Sequence, residues 1–500
     1  MQVGVIDLII VIVYIAFVLW YGLYKGKKVK NYEDYVVGGR EFSAFILIGT
    51  LIMTELNTAS LVGLSSQGYV GGIMGLWFAI TFAASLGIYT IFFAKKWKRF
   101  DGVSLIEMYD ERFGKSLGNL AAIMMMLAMI GLTSVYLTSA SKVFGTAFGW
   151  SYLTTILVIT VTVLILTLTG GLVSVVYTDM AAFIITIIGI PIIFITAGVK
   201  SGGFSQLSTV FDPSLLTLKP QINNAVLPAS SLFGFMLLSV CMYQMSPWYA
   251  QRMFSAKDEK TATKAMAWST VGVVALYALL ILTAAFSRIQ WPNLEDPDMG
   301  LIHAILDWTP TIVKGFMLAV VYSVAQSTMS SIWNTNAALI TQTMYKGWIN
   351  KEASEEKMFG VSKNVTLILA VITIIISYFF VTYVLRALVF ADIFLMVLIF
   401  ATIAAFYWWD AGKWAAMLST IAGLISAAAL TFSGVGEFVM ILKTVPIILI
   451  VGIIVGLFEP KPTGEALKRR VEFYDKVGAP AFGKEKYLEA KKLVESGAYK

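Results

Sequence analysis

The sequence holds one cysteine, Cys241, and one histidine, His303, in 500 residues. A lone thiol excludes a disulfide framework. A lone imidazole removes histidine metal sites and leaves histidine catalysis without partners. Charge is scarce as well: Asp, Glu, Lys and Arg make up 13% of the chain, where a soluble domain carries about a quarter. What remains is apolar, with 58% hydrophobic residues and a mean hydropathy of +0.79. Most of such a chain meets hydrocarbon rather than water. The net charge of +7 does not point to nucleic acid, because Lys and Arg sit in short clusters between apolar runs, as cytoplasmic loops do.

A bilayer core of ~30 Å takes ~20 apolar residues per helix. Runs of that length predict an all-α membrane protein of about thirteen transmembrane helices. The spans fall near 4–24, 44–66, 70–94, 117–147, 151–169, 172–198, 227–250, 264–287, 311–345, 362–383, 387–409, 414–433 and 437–458. The first run starts close to Met1 without a small-residue cleavage site and reads as a retained helix.

Loop charge sets the orientation. Lys25, Lys27, Lys28, Lys30 and Arg40 follow the first span. Lys95, Lys96, Lys98, Arg99, Arg112 and Lys115 follow the third. Arg252, Lys257, Lys260 and Lys264 follow the seventh, and Lys346, Lys351, Lys357 and Lys363 the ninth. These loops belong on the cytoplasmic side. The loop after the eighth span is acidic (Glu295, Asp296, Asp298, Asp307), which suits the outside. Thirteen spans then place the N-terminus outside and the tail, 459–500, in the cytoplasm as a solvated appendage.

Ionisable side chains at bilayer depth are costly and mark functional sites. Glu55, Asp179 and Asp392 are the candidates; Asp7 and Arg386 lie near span ends and read as interfacial. Lys142, Lys314 and Lys443 are near enough to ends to snorkel. Glu55 sits in a polar cluster, Thr54-Glu55-Leu56-Asn57-Thr58-Ala59-Ser60, inside an apolar span. Backbone can unwind at that depth only where it lines a cavity or is buried in protein, and an interrupted helix offers carbonyl oxygens to a hard cation. The ninth span carries a second cluster. At 100° per residue Ser327, Thr328, Ser330 and Ser331 share an arc of about 160°, and the carbonyl of Val324 lies one turn before them. Hydroxyls in membrane helices also bond the preceding turn or join helices, so this face alone does not decide for an ion.

Several further motifs surround these clusters. Gly38-Gly39-Arg40 precedes the second span, and Gly63-Leu64-Ser65-Ser66-Gln67-Gly68-Tyr69 closes it. Gly170-Gly171-Leu172 through Thr178-Asp179 opens the sixth span. Gln251-Arg252 ends the seventh, and a run from Ser327 to Tyr345-Lys346 fills the ninth. Together, in this order, they resemble the sodium/solute symporter family, which includes proline, sugar and sialic acid transporters, over roughly residues 5–460.

The resemblance implies a leucine-transporter-like five-plus-five inverted repeat. An N-terminal helix and loop (1–43) would precede a first repeat (44–200), an extracellular connection (201–226) and a second repeat (227–410). Two peripheral helices (411–458) would follow. The second and seventh spans would be discontinuous at mid-membrane. Carried over by position, a first Na+ site would use the carbonyls of Met53, Leu56 and Val324 with the hydroxyls of Ser327 and Thr328. A second site, found in some members, would use Asp179, Ser330 and Ser331 with Ser327. The implied solute pocket comprises Glu55, Asn57, Thr58, Ser60, Trp77, Phe78, Met242, Tyr243 and Gln244. Glu55 could ligate sodium or pair with a substrate amine. Ala79 and Met242 stand where sugar transporters carry an acidic side chain and an aromatic gate, which turns the expectation from sugars toward an amino acid or small carboxylate.

The functional expectation is sodium-coupled symport of a small polar solute by alternating access, in a cell-membrane protein that works as a monomer. A proton-coupled permease of the same architecture, with Glu55 and Asp179 as proton carriers, is the rival reading. A respiratory ion-translocating subunit needs a chain of intramembrane Lys, His and Glu, which is missing. No nucleophile–base pair or metal-ligand set suggests an enzyme.

Overall fold

The computed structural model describes residues 3–27, 29, 32–380 and 384–499. Lys28, Lys30 and the last residues of the tenth expected span lie outside them. The described chain is helical, with two isolated bridges, Phe42 to Ala256 and Trp408 to Phe482. Helices satisfy their own backbone groups, which lipid cannot do.

In chain order the helices are α1 (Val5–Gly26), α2 (Ala44–Glu55), α3 (60–71), α4 (77–100), α5 (Ile106–Phe113), α6 (Lys115–Phe148), α7 (Tyr152–Leu168) and α8 (Gly171–Ser201). They continue as α9 (Ala229–Tyr243), α10 (Pro247–Ser255), α11 (Glu259–Gln290), α12 (Met299–Trp308), α13 (Val313–Ile349), α14 (Glu355–Phe380), α15 (Val384–Tyr407), α16 (Lys413–Phe432) and α17 (Glu437–Phe458). Two short helices, α18 (Gly464–Val477) and α19 (Lys484–Glu495), complete the chain.

Ten helices among the described residues are long and apolar enough to cross a membrane, or eleven if α9 and α10, bent by 44°, form one span. Each of the thirteen expected runs falls on helix, but several are interrupted. Gly72 (φ 56°, ψ −132°) separates α3 from α4, and Gly171 (φ 50°, ψ −146°) breaks the rod that α7 and α8 would otherwise form. Both backbone conformations are ones that a side chain resists.

The centre of the bundle is α13, nearly all of whose first 27 residues are buried. It packs against α8, α6, α1 and α2, while α11 lies against α2, α3 and α4. Three expectations need correction. Asp7, near a span end, is not solvated: it is buried and its Oδ1 accepts from the amides of Ile312 (2.8 Å) and Gly315 (2.9 Å), capping α13. Arg112 and Arg252 are not loop charges. Arg112 is buried and donates to the carbonyls of Trp408 (3.0 Å) and Ala411 (2.8 Å), and Arg252 lies inside α10. The tail is not a solvated appendage either. Phe473 and Tyr474 of α18 are buried, Trp409 N–H donates to Phe482 O (2.9 Å), and Arg470 donates to Trp409 O (2.7 Å). Its aromatic residues supply the apolar face that a mixed-charge segment needs in order to dock.

Candidate functional site

The second span is broken at mid-length, where α2 ends at Glu55 and Leu56 leaves helical geometry (φ −68°, ψ 82°). The interruption redirects two amides. Asn57 N–H donates to the carbonyl of Glu55 (2.7 Å), two residues back, rather than to Met53. Ser60 N–H donates to Asn57 Oδ1 (2.7 Å) rather than to the carbonyl of Leu56. Asn57 thus holds the break open, acting as a cap in mid-membrane. The carbonyls of Met53 and Leu56 lose their helical donors and keep their full acceptor strength.

Opposite runs α13. Ser327, Thr328, Ser330 and Ser331 are fully buried. Thr328 donates to Val324 O (2.8 Å) and Ser330 to Ser327 O (3.1 Å), the backbone bonds that hydroxyls make in apolar helices. Ser327 Oγ is buried beside the Asp179 carboxylate, close enough to bear on its charge.

One turn further along, a guanidinium joins Asp179 to Ser331, while among the described residues Ser330 makes only its bond to Ser327 O. Arg252 Nη2 donates to Ser331 Oγ (2.9 Å) and lies 3.5 Å from Asp179 Oδ2, with both charged side chains fully buried. Its Nε donates to Thr50 Oγ1 (3.0 Å), and Thr50 donates to Asp179 Oδ2 (2.5 Å). Helices α2, α8, α10 and α13 are therefore joined by one charge-assisted network.

The seventh span is interrupted too. Pro247 opens α10 after the turn at Gln244–Ser246, a position that tolerates its missing N–H. Tyr243 and Tyr249 flank this break, and both hydroxyls donate to the Glu55 carboxylate, Tyr249 at 2.6 Å. Tyr277 of α11 donates to the Glu55 carbonyl (2.6 Å). A narrow cavity lies between the two breaks, with Glu55 and Asp392 on its wall.

The surroundings of this site match a known family. A family model described as "Sodium:solute symporter family" aligns with residues 35–423. The chain belongs to the sodium:solute symporter family. It is a sodium-coupled solute symporter, not an enzyme. Among its relatives are an osmoregulated proline transporter of Bacillus subtilis, 23% identical over 90% of this chain and 94% of that protein, and a sodium/pantothenate symporter of Haemophilus influenzae, 27% identical over 85% and 90%. In structure the symporter resembles a sodium-coupled sialic acid symporter in a substrate-bound outward-open state, with a TM-score of 0.78 over 92% of this chain and 99% of that one, at 17% identity. A nucleobase-cation-symport-1 family transporter shares the fold at a TM-score of 0.56 over 91% and 98%, at 11% identity.

Of the symporter's expected pocket residues, Glu55, Asn57, Ser60, Met242 and Tyr243 line the cavity. The others lie elsewhere. Trp77 donates to the carbonyl of Leu218 in the connection before α9 (2.8 Å). Phe78 packs behind the wall on Phe235, at 5.0 Å between centroids. Thr58 donates to Tyr136 O (2.7 Å), and Gln244 to the carbonyls of Ser85 (3.3 Å) and Val240 (2.9 Å). The cavity also takes Thr54, Phe82, Tyr136, Phe235, Trp248 and Asp392, of which only Thr54, in the polar cluster, and Asp392 announced themselves in the sequence. Aromatic residues in a membrane bundle carry no mark that separates a pocket wall from ordinary packing.

Proposed function

We propose that the symporter binds one sodium ion between the opened end of α2 and α13, and a small polar solute in the cavity beside it. The carbonyls of Met53, Leu56 and Val324 and the hydroxyls of Ser327 and Thr328 supply the ligands. The observation that carries this reading is the redirection of two amides away from Met53 and Leu56, at the end of a helix that packs against α13, whose hydroxyls are buried. Carbonyl and hydroxyl oxygens suit a hard cation.

The second cluster already contains a cation. Arg252 offsets the charge of Asp179 and engages Ser331, so we assign it the place that a second sodium would take and infer one ion per cycle. One ion crossing a potential of ~100 mV contributes ~2.3 kcal/mol of drive.

Bound sodium ties α2 to α13 and favours the conformation in which the cavity is formed. Solute binding then allows closure on one side and opening on the other, as differential affinity for the two states requires. The polypeptide follows the five-plus-five inverted repeat in thirteen spans, with the interrupted 44–71 and 229–255 segments opening each repeat at corresponding positions. As a straight helix, residues 60–100 would be about 60 Å long, twice a bilayer core, which supports two spans parted at Gly72. The N-terminus lies outside and the tail in the cytoplasm. Consistent with this, Lys142 reaches Asp296 (3.0 Å) and Asp298 (2.8 Å) in the acidic loop at the end opposite the Lys-rich ones.

Charge movement on solute addition, recorded from proteoliposomes at fixed pH with sodium or potassium as the salt, tests the coupling. Currents in sodium alone support it. Equal currents in potassium, abolished by dissipating a pH gradient, would establish the proton-coupled alternative.

A further inference from the structure

The cavity between the broken helices has a one-sided charge. Two carboxylates, Glu55 and Asp392, stand on its wall, and among the described residues no Lys, Arg or His lines it. Both side chains are buried. Glu55 receives two phenolic hydrogen bonds, which stabilise its charge without neutralising it. Asp392 Oδ1 and Thr54 Oγ1 are buried on the same wall, and neither has a hydrogen-bond partner. Phe82, Phe235 and Trp248 add aromatic faces to a wall that also carries Asn57, Ser60, Ser239, Met242 and Leu388.

From this we propose that the transported solute carries an ammonium group, and that this group alone enters the cavity of about 20 Å³ between Glu55 and Asp392. The inference rests on the sodium-coupled reading above and narrows its substrate class. Buried carboxylates at membrane depth demand positive charge. Sodium at the break, held by the carbonyls on either side of Thr54 and Glu55, offsets one of them. The second needs a cation of its own, and Arg252 is committed to Asp179 one layer away. Ring faces attract an alkylated or primary ammonium through their quadrupoles, most strongly when water is excluded. Thr54 Oγ1 and Asp392 Oδ1 then accept hydrogen bonds from N–H groups where the solute has them. A solute with only a carboxylate would add a third negative charge and is rejected; a zwitterion enters ammonium first.

Matched probes test this. The purified full-length symporter, saturated with sodium, is titrated with choline and L-proline and with their uncharged-centre analogues, 3,3-dimethylbutan-1-ol and tetrahydrofuran-2-carboxylate. Pantothenate serves as a purely anionic probe. Thermal stabilisation and charge displacement in proteoliposomes are read together. At least one ammonium probe should bind, its analogue should bind ~10-fold or more weakly, and pantothenate should not compete. Asp392→Asn should weaken the ammonium probe by ~10-fold or more while leaving the sodium concentration for half-maximal stabilisation within about twofold. Asp392→Glu should recover much of the loss, which separates charge recognition from misfolding. Tighter binding of pantothenate or of either ammonium-free analogue overturns the proposal. So does stabilisation by sodium with no response to either ammonium probe, an outcome that leaves the sodium site standing. Absence of any sodium response would instead remove the coupling reading on which the proposal rests.

Discussion

Arg252 Nη2 stands 3.5 Å from Asp179 Oδ2, and neither side chain is exposed to solvent. This pair links α10, next to the second broken helix, to α8, and through Thr50 and Ser331 to α2 and α13. Every element of the proposed sodium site is thus braced by one internal cation. A buried pair of this kind contributes little net stability against an apolar replacement, but removing one partner strands the other.

Arg252→Gln is therefore expected to destabilise the protein by about 3–5 kcal/mol, and Asp179→Asn by a similar amount. The double variant should recover a large part of the loss. Thermal unfolding in detergent measures this, and additive losses would show that the two charges do not act as a pair. The Asp179→Asn single variant, where it folds, should still move one charge per solute.

Asn57 is the residue that keeps the first break open. Asn57→Ala frees Ser60 N–H to close onto Leu56 O, which would restore helix and remove a ligand. The cap is worth about 1 kcal/mol, so the sodium concentration for half-maximal uptake should rise ~5-fold. Asn57→Asp keeps the accepting oxygen and should retain most of the affinity. An Ala variant with native sodium dependence would show that the break is held by something else.

The docked tail should contribute stability from outside the bilayer. Tyr474 is fully buried, with Trp409 at 5.6 Å and Tyr487 at 5.9 Å between ring centroids. Tyr474→Ala should cost about 3 kcal/mol. Chains cut before α18 should unfold at lower temperature, with their sodium affinity unchanged. A truncated chain as stable as the full one would mean that the packing seen here is energetically idle.

How much of this was readable beforehand follows from where polar groups stood in the sequence. The break at Leu56 was legible because Glu55, Asn57 and Ser60 interrupt an apolar run, and lipid penalises such a cluster unless it is buried with partners. The hydroxyl face of α13 was legible from helical spacing alone. Arg252 was not. Near the end of an apolar run it looks like any loop charge, and only the fold shows that the chain turns at Gln244–Ser246 and carries it back inside. Trp77 and Phe78 lie off the wall of the cavity between the breaks, and their largely apolar helix gives little in the sequence to orient them. The tail was misread because Phe473, Tyr474 and Tyr487 are too few to outweigh the surrounding charge until Trp409 and Phe406 provide a surface for them.

Equilibrium binding of radiolabelled sodium to the purified protein tests the ion site most directly, because it needs no knowledge of the solute. The wild type should bind one ion per chain, and Ser327→Ala and Thr328→Ala should each weaken that binding by ~10-fold or more, as loss of a buried cation ligand implies. Two ions per chain, or one bound with unchanged affinity in both variants, would contradict the assignment.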